Sequence, residues 1–463
     1  MTPVPRGPID PVELSRRAAP ILVVAAVLSW GVALVAGGRP PEPDLRPFLL
    51  RAFPGASFEG APPGVVTARA DAAVLGHVAV GTADGYSGPI TVAVATGPEG
   101  RTRALALLEH RDTPAIVRSG RPFLRSLLGR TPDEAFRVGE DVDAVTGATA
   151  TSRGVSNAAG VAALAIAVHA FAREAEQERE VVFGAPEVVV LALLAVAALG
   201  QGRRSIPGRW RRRLRAATLV LGLVALGLLF ARPWVIAFPI RLVSGDWPSW
   251  RTHLYWYVLL VGTLLTFSRA GKSPYCPWMC PFGAAQDLLG LPGRAHRRRL
   301  PNRLLFAWVK GVLLWLAVLL GLLYRNPAGA SYEIFGAFFR LSGTGPQIAA
   351  LVVVLVVAVF FARPFCHWAC PVDAIERVLR PVRRRVLRGG RAATPRSLRL
   401  AQPAARAARP VFHRVRAGAL TVAGLLCAGL LLVHLALTVT AAGAAGESGI
   451  VGDTFVSVDG PPR

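Results

Sequence analysis

Charge is scarce in this 463-residue chain: 17% of residues are Asp, Glu, Lys or Arg, against 52% hydrophobic. A soluble globular domain carries nearer a quarter, which excludes a soluble single-domain enzyme as the leading class. Acidic residues are the scarcest, 28 against 53 basic ones, for a net charge of +25. In a soluble chain that excess would point to nucleic acid. In a chain this apolar it marks membrane loops, provided the arginines cluster between apolar runs. Five cysteines are too few for a disulfide scaffold or for two multi-cluster ferredoxin domains. No nucleophile–base constellation is legible either.

The arginines do cluster. Apolar stretches near the ~20 residues needed to cross a hydrocarbon core occur at about 18–38, 184–200, 216–231, 254–268, 304–323, 346–362 and 417–440. The basic runs QGRRSIPGRWRRRLR, GRAHRRRLPNR and RPVRRRVLRGGR follow the second, fourth and sixth, whereas the alternate loops, around Asp246 and Glu333, are poor in basic residues. The positive-inside bias then predicts about seven spans, with the N-terminus inside and the C-terminus outside. Residues 1–39 read as an anchor or signal helix, 40–182 as an extracytoplasmic α/β domain and 183–440 as the membrane core. Residues 383–410 read as a basic cytoplasmic linker near anionic lipid, and 441–463 as an external tail. Segment 154–172 is apolar enough to span, yet spanning would turn the arginines at 203–215 outward, so a buried helix of the external domain is expected.

Within 40–182, short runs such as HVAVG and ITVAVAT between Gly- and Pro-rich turns predict strands. Just before the 154–172 helix stands Asp143-Ala-Val-Thr146-Gly147-Ala148-Thr149-Ala-Thr151-Ser152. Small residues admit a phosphate close to the backbone, and a helix N-terminus offers free N–H groups to an anion. A Thr/Ser-rich helix cap is the plainer alternative. The string resembles the flavinylation motif of the FMN-binding domains in Rnf and Na⁺-translocating quinone reductase complexes and in NosR-type proteins. The order of Phe53-Pro-Gly-Ala56, of Gly85-Tyr86-Ser87-Gly88 and of His110-Arg-Asp-Thr113 is similar as well. The resemblance implies FMN esterified through its phosphate to Thr149 by a flavin transferase, with Thr151 the second choice and Gly85 to Gly88 against the ring.

Four of the five cysteines form two matched pairs, Cys276-Pro-Trp-Met-Cys280-Pro281 and Cys366-His-Trp-Ala-Cys370-Pro371. The i, i+4 spacing predicts both sulfurs of a pair on one face of a helical turn. Each pair follows an apolar stretch on the side assigned to the cytoplasm, where disulfides are disfavoured. Four thiolates suit an iron–sulfur cluster, [2Fe–2S] or [4Fe–4S], or zinc; a flavin in the same chain favours iron–sulfur. Cys427 reads as packing. His434 is a weak candidate haem or quinone ligand, and a hydrogen bond to a neighbouring helix is the commoner role for such a residue.

The doubled Cys-x-x-x-Cys-Pro motifs resemble the membrane core of the NosR/NirI/PceC and NapH families. The Cys-x2-Cys-x2-Cys-x3-Cys-Pro ferredoxin modules of classical NosR and NapH are missing, which brings the chain nearer a PceC-like architecture. The resemblance implies a membrane electron-transfer protein linking quinone, quinol or a cytoplasmic donor to an exported reductase or other external electron-transfer partner. A redox-sensing regulator or maturation factor is the rival reading, and no nucleic-acid partner is expected.

Overall fold

The computed structural model describes residues 11–36, 44–60, 64–85, 89–110, 121–131, 149–172, 183–202, 207–295, 298, 300–327, 329–341, 343–388, 411–444 and 454–458. After helices α1 (Pro11–Ala36) and α2 (Arg46–Ala52) come five strands: β1 (Ser57–Glu59), β2 (Val66–Ala70), β3 (Ala73–Asp84), β4 (Pro89–Thr96) and β5 (Thr102–Glu109). They form an antiparallel meander, with His77 opposite Thr96 and Val94 opposite Leu105. The alternation in ITVAVAT sorts side chains between two faces. Ile90, Val92 and Val94 join one buried cluster, and Ala93 and Ala95 join another with Phe48 and Phe53. Both faces are therefore covered, which is why β4 has no polar stripe.

A short helix α3 (Arg121–Arg125) precedes α4 (Thr149–Phe171), which lies on the branched face of β3 and β4. Ala158, Ala159, Ala162 and Ala163 of α4 are fully buried there. Gly81 permits the close approach, since a Cβ at that position would sit 2.0 Å from the Ala158 carbonyl oxygen. A sixth strand, β6 (Val456–Ser457), comes from the far end of the chain and pairs antiparallel with β5. Nothing in the sequence pattern marks it.

The remaining elements form a helical core: α5 (Ala185–Gly202), α6 (Gly208–Leu221) with a π-helical continuation (Gly222–Leu229), α7 (Ala237–Val243) and α8 (Leu254–Ala270). A π-helical turn (Tyr275–Met279) leads to α9 (Pro281–Leu289), α10 (Arg303–Leu323), α11 (Phe335–Phe339) and α12 (Gly345–Phe360). Then come α13 (Pro364–Trp368), α14 (Pro371–Arg388) and α15 (Val411–Ala444). Exposed Leu264, Leu265, Val352, Val356, Leu425 and Leu426 give the helices apolar outer faces, as lipid-facing helices have. This is a membrane protein with an inserted sheet domain.

All seven apolar stretches fall in helices, and the described residues confirm only some of them as full spans. Among the described residues three helices are long and apolar enough to cross a membrane: 151–171, 303–323 and 419–437. The first belongs to α4, packed on the sheet. The helices at 185–201, 254–270 and 345–360 are shorter. Helix α8 stops at Gly271 in the left-handed region (φ 72°), and the 216–231 stretch is divided between α6 and its π-helical continuation. The linker expected from 383 begins later, since α14 continues to Arg388; the rest of it lies outside the described residues.

Two candidate redox sites

The first site lies where the sheet meets the helical core. Gly154 of α4 stands so near the end of β3 that a Cβ there would meet the Cα of Gly85 at 2.9 Å and the carbonyl oxygen of Asp84 at 3.0 Å. The start of α4, with Thr149 as its first residue and Thr151 and Ser152 buried, is thereby brought beside Gly85. Asp143, Thr146, Gly147, Ala148, Tyr86, Ser87 and Gly88 lie outside the described residues.

The helical core reaches this corner. Arg241 Nη2 donates to Asp84 Oδ1 (3.2 Å), the amide of Ser249 donates to Asp84 Oδ2 (2.9 Å), and Arg241 Nε donates to Asp246 (3.1 Å). His253 Nε2 lies 3.3 Å from the carbonyl oxygen of Gly85, and its Nδ1 lies 2.9 Å from the Thr252 hydroxyl. Burial holds the His253 pKa below its ordinary value. The neutral ring then donates through Nε2 to Gly85 and accepts at Nδ1. Arg241 is fully buried, and its Nη1 has no partner among the described residues. A buried cationic donor left over near Gly85 and a helix start suits an anionic cofactor such as FMN.

The second site joins the two cysteine pairs. Neither pair shares one helical turn, which corrects the expectation from spacing. Cys276 lies in the π-helical turn and Cys280 is the N-cap of α9; Cys366 lies in α13 and Cys370 immediately precedes α14. The prolines cause the break, because Pro281 and Pro371 lack an N–H and suit only the first turn of a new helix. Cys280 Sγ accepts from the amide of Gly283 at 3.3 Å.

Contacts distant in sequence bring the pairs together. The rings of Phe282 and Phe365 meet edge to face with centroids 5.4 Å apart. Gln286 accepts from the Phe365 amide at 3.0 Å and donates to Cys366 Sγ at 3.8 Å. Arg363 Nη1 donates to the Cys276 carbonyl oxygen (2.9 Å), and Lys310, buried in α10, donates to that of Cys366 (3.2 Å) and to Asp373. The Cys366 thiol is held below its ordinary pKa by its hydrogen bond with Cys370 and by nearby Arg363, against burial; burial pushes Cys276 and Cys280 up. The described His, Cys, Asp and Glu side chains include no group of three or more placed to hold a single metal ion. Four thiols, Cys280 and Cys370 buried and Cys276 and Cys366 part-buried, nevertheless lie on neighbouring segments of the helical core, and four is the ligand count of an iron–sulfur cluster.

A family model described as FMN-binding domain matches residues 85–163, and one described as 4Fe-4S binding domain matches 252–301 and 346–388. The second contains all four paired cysteines. Over 204 residues, 40% of this chain and 28% of the relative, the sequence is 31% identical to the regulatory protein NosR of Pseudomonas aeruginosa. It is 30% identical to the protein NirI of Paracoccus denitrificans over 40% of this chain and 30% of that one. Over these stretches the chain is similar to NosR/NirI-like flavoproteins. Similarity also extends to the putative electron transport protein YccM of Escherichia coli, 30% identical over 30% of this chain and 42% of that relative. The aligned stretch spans less than a third of the NosR and NirI chains.

Several members of these two sites have no sequence signal of their own. Arg241, His253, Gln286, Lys310 and Arg363 lie outside the two motifs and act through the fold. An intramembrane lysine is a functional pointer by itself, and Lys310 could have been singled out on that ground. His434 contacts the Thr344 hydroxyl (2.9 Å) and the Ser331 carbonyl oxygen (3.2 Å) through its two nitrogens, which is the structural role weighed against ligation. Cys427 is buried in packing.

Proposed function

We propose that this chain is a membrane electron-transfer flavo-iron–sulfur protein connecting the quinone pool or a cytoplasmic donor with an extracytoplasmic acceptor. The observation that carries the reading is the packing of the two cysteine segments against each other through Phe282, Gln286 and Phe365, in a chain that matches both a 4Fe-4S binding domain and an FMN-binding domain. In this reading Thr149 carries FMN as a phosphoester placed by a flavin transferase. Cys276, Cys280, Cys366 and Cys370 hold a cluster, of the [4Fe–4S] type by the family description. The cofactors supply the redox chemistry, while the chain positions them and excludes water. Seven apolar helices, a cytoplasmic N-terminus and an external FMN domain and tail complete the topology, in the cell membrane.

Separation across a hydrocarbon core of about 30 Å is the main physical difficulty for such a carrier. The Cys276 segment is packed into the helical core, with Tyr275, Trp278 and Met279 buried. Tyr275, fully buried, accepts at its hydroxyl from the Trp234 amide (2.9 Å). Two residues away, the Arg232 carbonyl oxygen accepts from Tyr255, near the His253 end of α8 (2.6 Å). Polar contacts thus lead from beside Cys276 toward the corner at Gly85.

The regulatory designation of NosR supports a second reading, a sensor or maturation factor for an exported reductase. Purified holoprotein in sealed liposomes separates the two. A carrier bleaches its flavin absorbance on addition of a quinol and recovers it with an impermeant external oxidant, turnover after turnover. Thr149→Ala loses the flavin band that survives denaturing electrophoresis and loses turnover with it. A flavin that never cycles with any quinol or cytoplasmic donor overturns the carrier reading.

A further inference from the structure

A cavity of about 1090 Å³ opens beside the cysteine cluster, between α6, α9, the start of α10 and the α12–α13 junction. Arg212, Arg215, Arg298, Arg303 and Arg363 line it, and the one carboxylate among the lining residues, Asp287, is already paired with Arg363 through Nε and Nη2. Five guanidinium groups around one space repel one another unless an anion enters. Part of the lining is apolar, with Ala216, Leu219 and Leu300, and one rim residue, Leu291, is 65% exposed. Leu304 and Leu305 continue an exposed apolar surface from Arg303 along α10.

Positive charge above an apolar wall, opening onto a lipid-facing surface, selects an amphiphile with an anionic head. A free anion would use only the arginines, and an acidic protein face would leave the apolar wall unmatched. We propose that this cavity is a binding site for an anionic phospholipid, its phosphate on Arg212, Arg298 and Arg303 and its acyl chains along Leu219, Leu291 and Leu300. Basic pockets between membrane helices recognise such headgroups, and guanidinium forks match phosphate oxygens two at a time.

The position gives the lipid a consequence. Arg215 donates through Nε to the Pro277 carbonyl oxygen (2.8 Å), and Arg363 donates to that of Cys276 (2.9 Å). Two of the five arginines therefore grip the backbone of the first cysteine loop. A phosphate beside them offsets their mutual repulsion and holds them in that grip, so lipid occupancy stabilises the loop.

The test uses full-length protein in detergent, titrated with cardiolipin, phosphatidylcholine or inorganic phosphate, and read by native mass spectrometry and thermal unfolding. Cardiolipin is expected to stay bound and raise the Tm, with phosphatidylcholine and inorganic phosphate doing neither. The pair Arg212→Gln with Arg298→Gln weakens cardiolipin retention about tenfold or more. Arg209→Gln with Arg211→Gln, the same charge loss outside the cavity lining, stays within about twofold. Ala216→Trp, which keeps every charge and fills the cavity, also abolishes retention; it serves as the test if the double Gln variant fails to fold. Equal losses from the two arginine pairs would mean diffuse surface attraction, and a phosphate-induced Tm shift matching that of cardiolipin would mean a soluble-anion site. Either result, or retention unchanged in Ala216→Trp, overturns the proposal.

Discussion

At the residue scale, the informative groups are buried polar side chains with distant partners. Arg241 bridges Asp84 and Asp246, so Arg241→Gln leaves two carboxylates facing a neutral amide. A loss of about 2–4 kcal/mol is expected, because removing one partner of a buried pair strands the other. Asp84→Asn added to Arg241→Gln should recover part of that loss in a denaturation cycle; strict additivity would rule out the coupling. Glu333 offers a pH test. Its carboxylate accepts from the Ile236 amide and the Ser331 hydroxyl, and burial raises its pKa from 4.5 to about 7. Between those values the native state holds a proton that the unfolded state has lost. The contribution is therefore most favourable below pH 4.5 and declines as pH rises through 7, by at most about 1.4 kcal/mol per unit. In Glu333→Gln, where the amide mimics the protonated acid, the Tm profile between pH 5 and 7 should flatten relative to wild type. Parallel profiles would show that Glu333 does not titrate there.

At the element scale, two devices set the sites: the seating of α4 on the sheet and the helix breaks at Cys-Pro. A methyl group at Gly81 meets the Ala158 carbonyl oxygen at 2.0 Å and the Ala162 amide nitrogen at 2.6 Å, both backbone atoms of α4. Gly81→Ala is expected to lift the helix, costing about 1–3 kcal/mol, and to reduce flavin attachment by drawing the start of α4 away from Gly85. Gly311→Ala is the control. Nothing lies within 4 Å of its added Cβ, and within α10 it should be neutral or gain up to about 1 kcal/mol. Normal flavinylation and stability in Gly81→Ala would disprove the seating. The strands, the α4 segment and the paired cysteines are legible in the sequence because each rests on local periodicity or short spacing. The π-helical turn at Tyr275 was not, since its conformation depends on burial among segments far along the chain.

At the scale of the whole molecule, β6 ties the C-terminal tail to the sheet. Its pairing with β5 joins residues more than 350 positions apart, Ala104 with Ser457 and Leu105 with Val456, which agrees with the proposal that tail and sheet domain share one side of the membrane. Val458→Cys, exposed after β6, and Trp210→Cys, exposed in α6, should react oppositely with an impermeant thiol reagent on intact cells. The proposed topology expects labelling at 458 and protection at 210. The reverse pattern would invert the orientation, and equal labelling would remove the topology altogether.

The sequence by itself determined the class of molecule: apolar helices, a strand-rich insertion, a Thr/Ser-rich helix start and four thiols in two matched pairs. Those features depend on composition and on neighbours a few residues apart. Tertiary structure alone decided that the two cysteine segments meet through Phe282, Gln286 and Phe365, and that the tail supplies a strand. It also decided that Arg241 and His253 of the helical core meet Asp84 and Gly85 of the sheet domain. Asp84 and Arg241 stand 157 positions apart, and no local pattern encodes such a meeting. Packing selects it, because a buried arginine is tolerable only where carboxylates answer its charge.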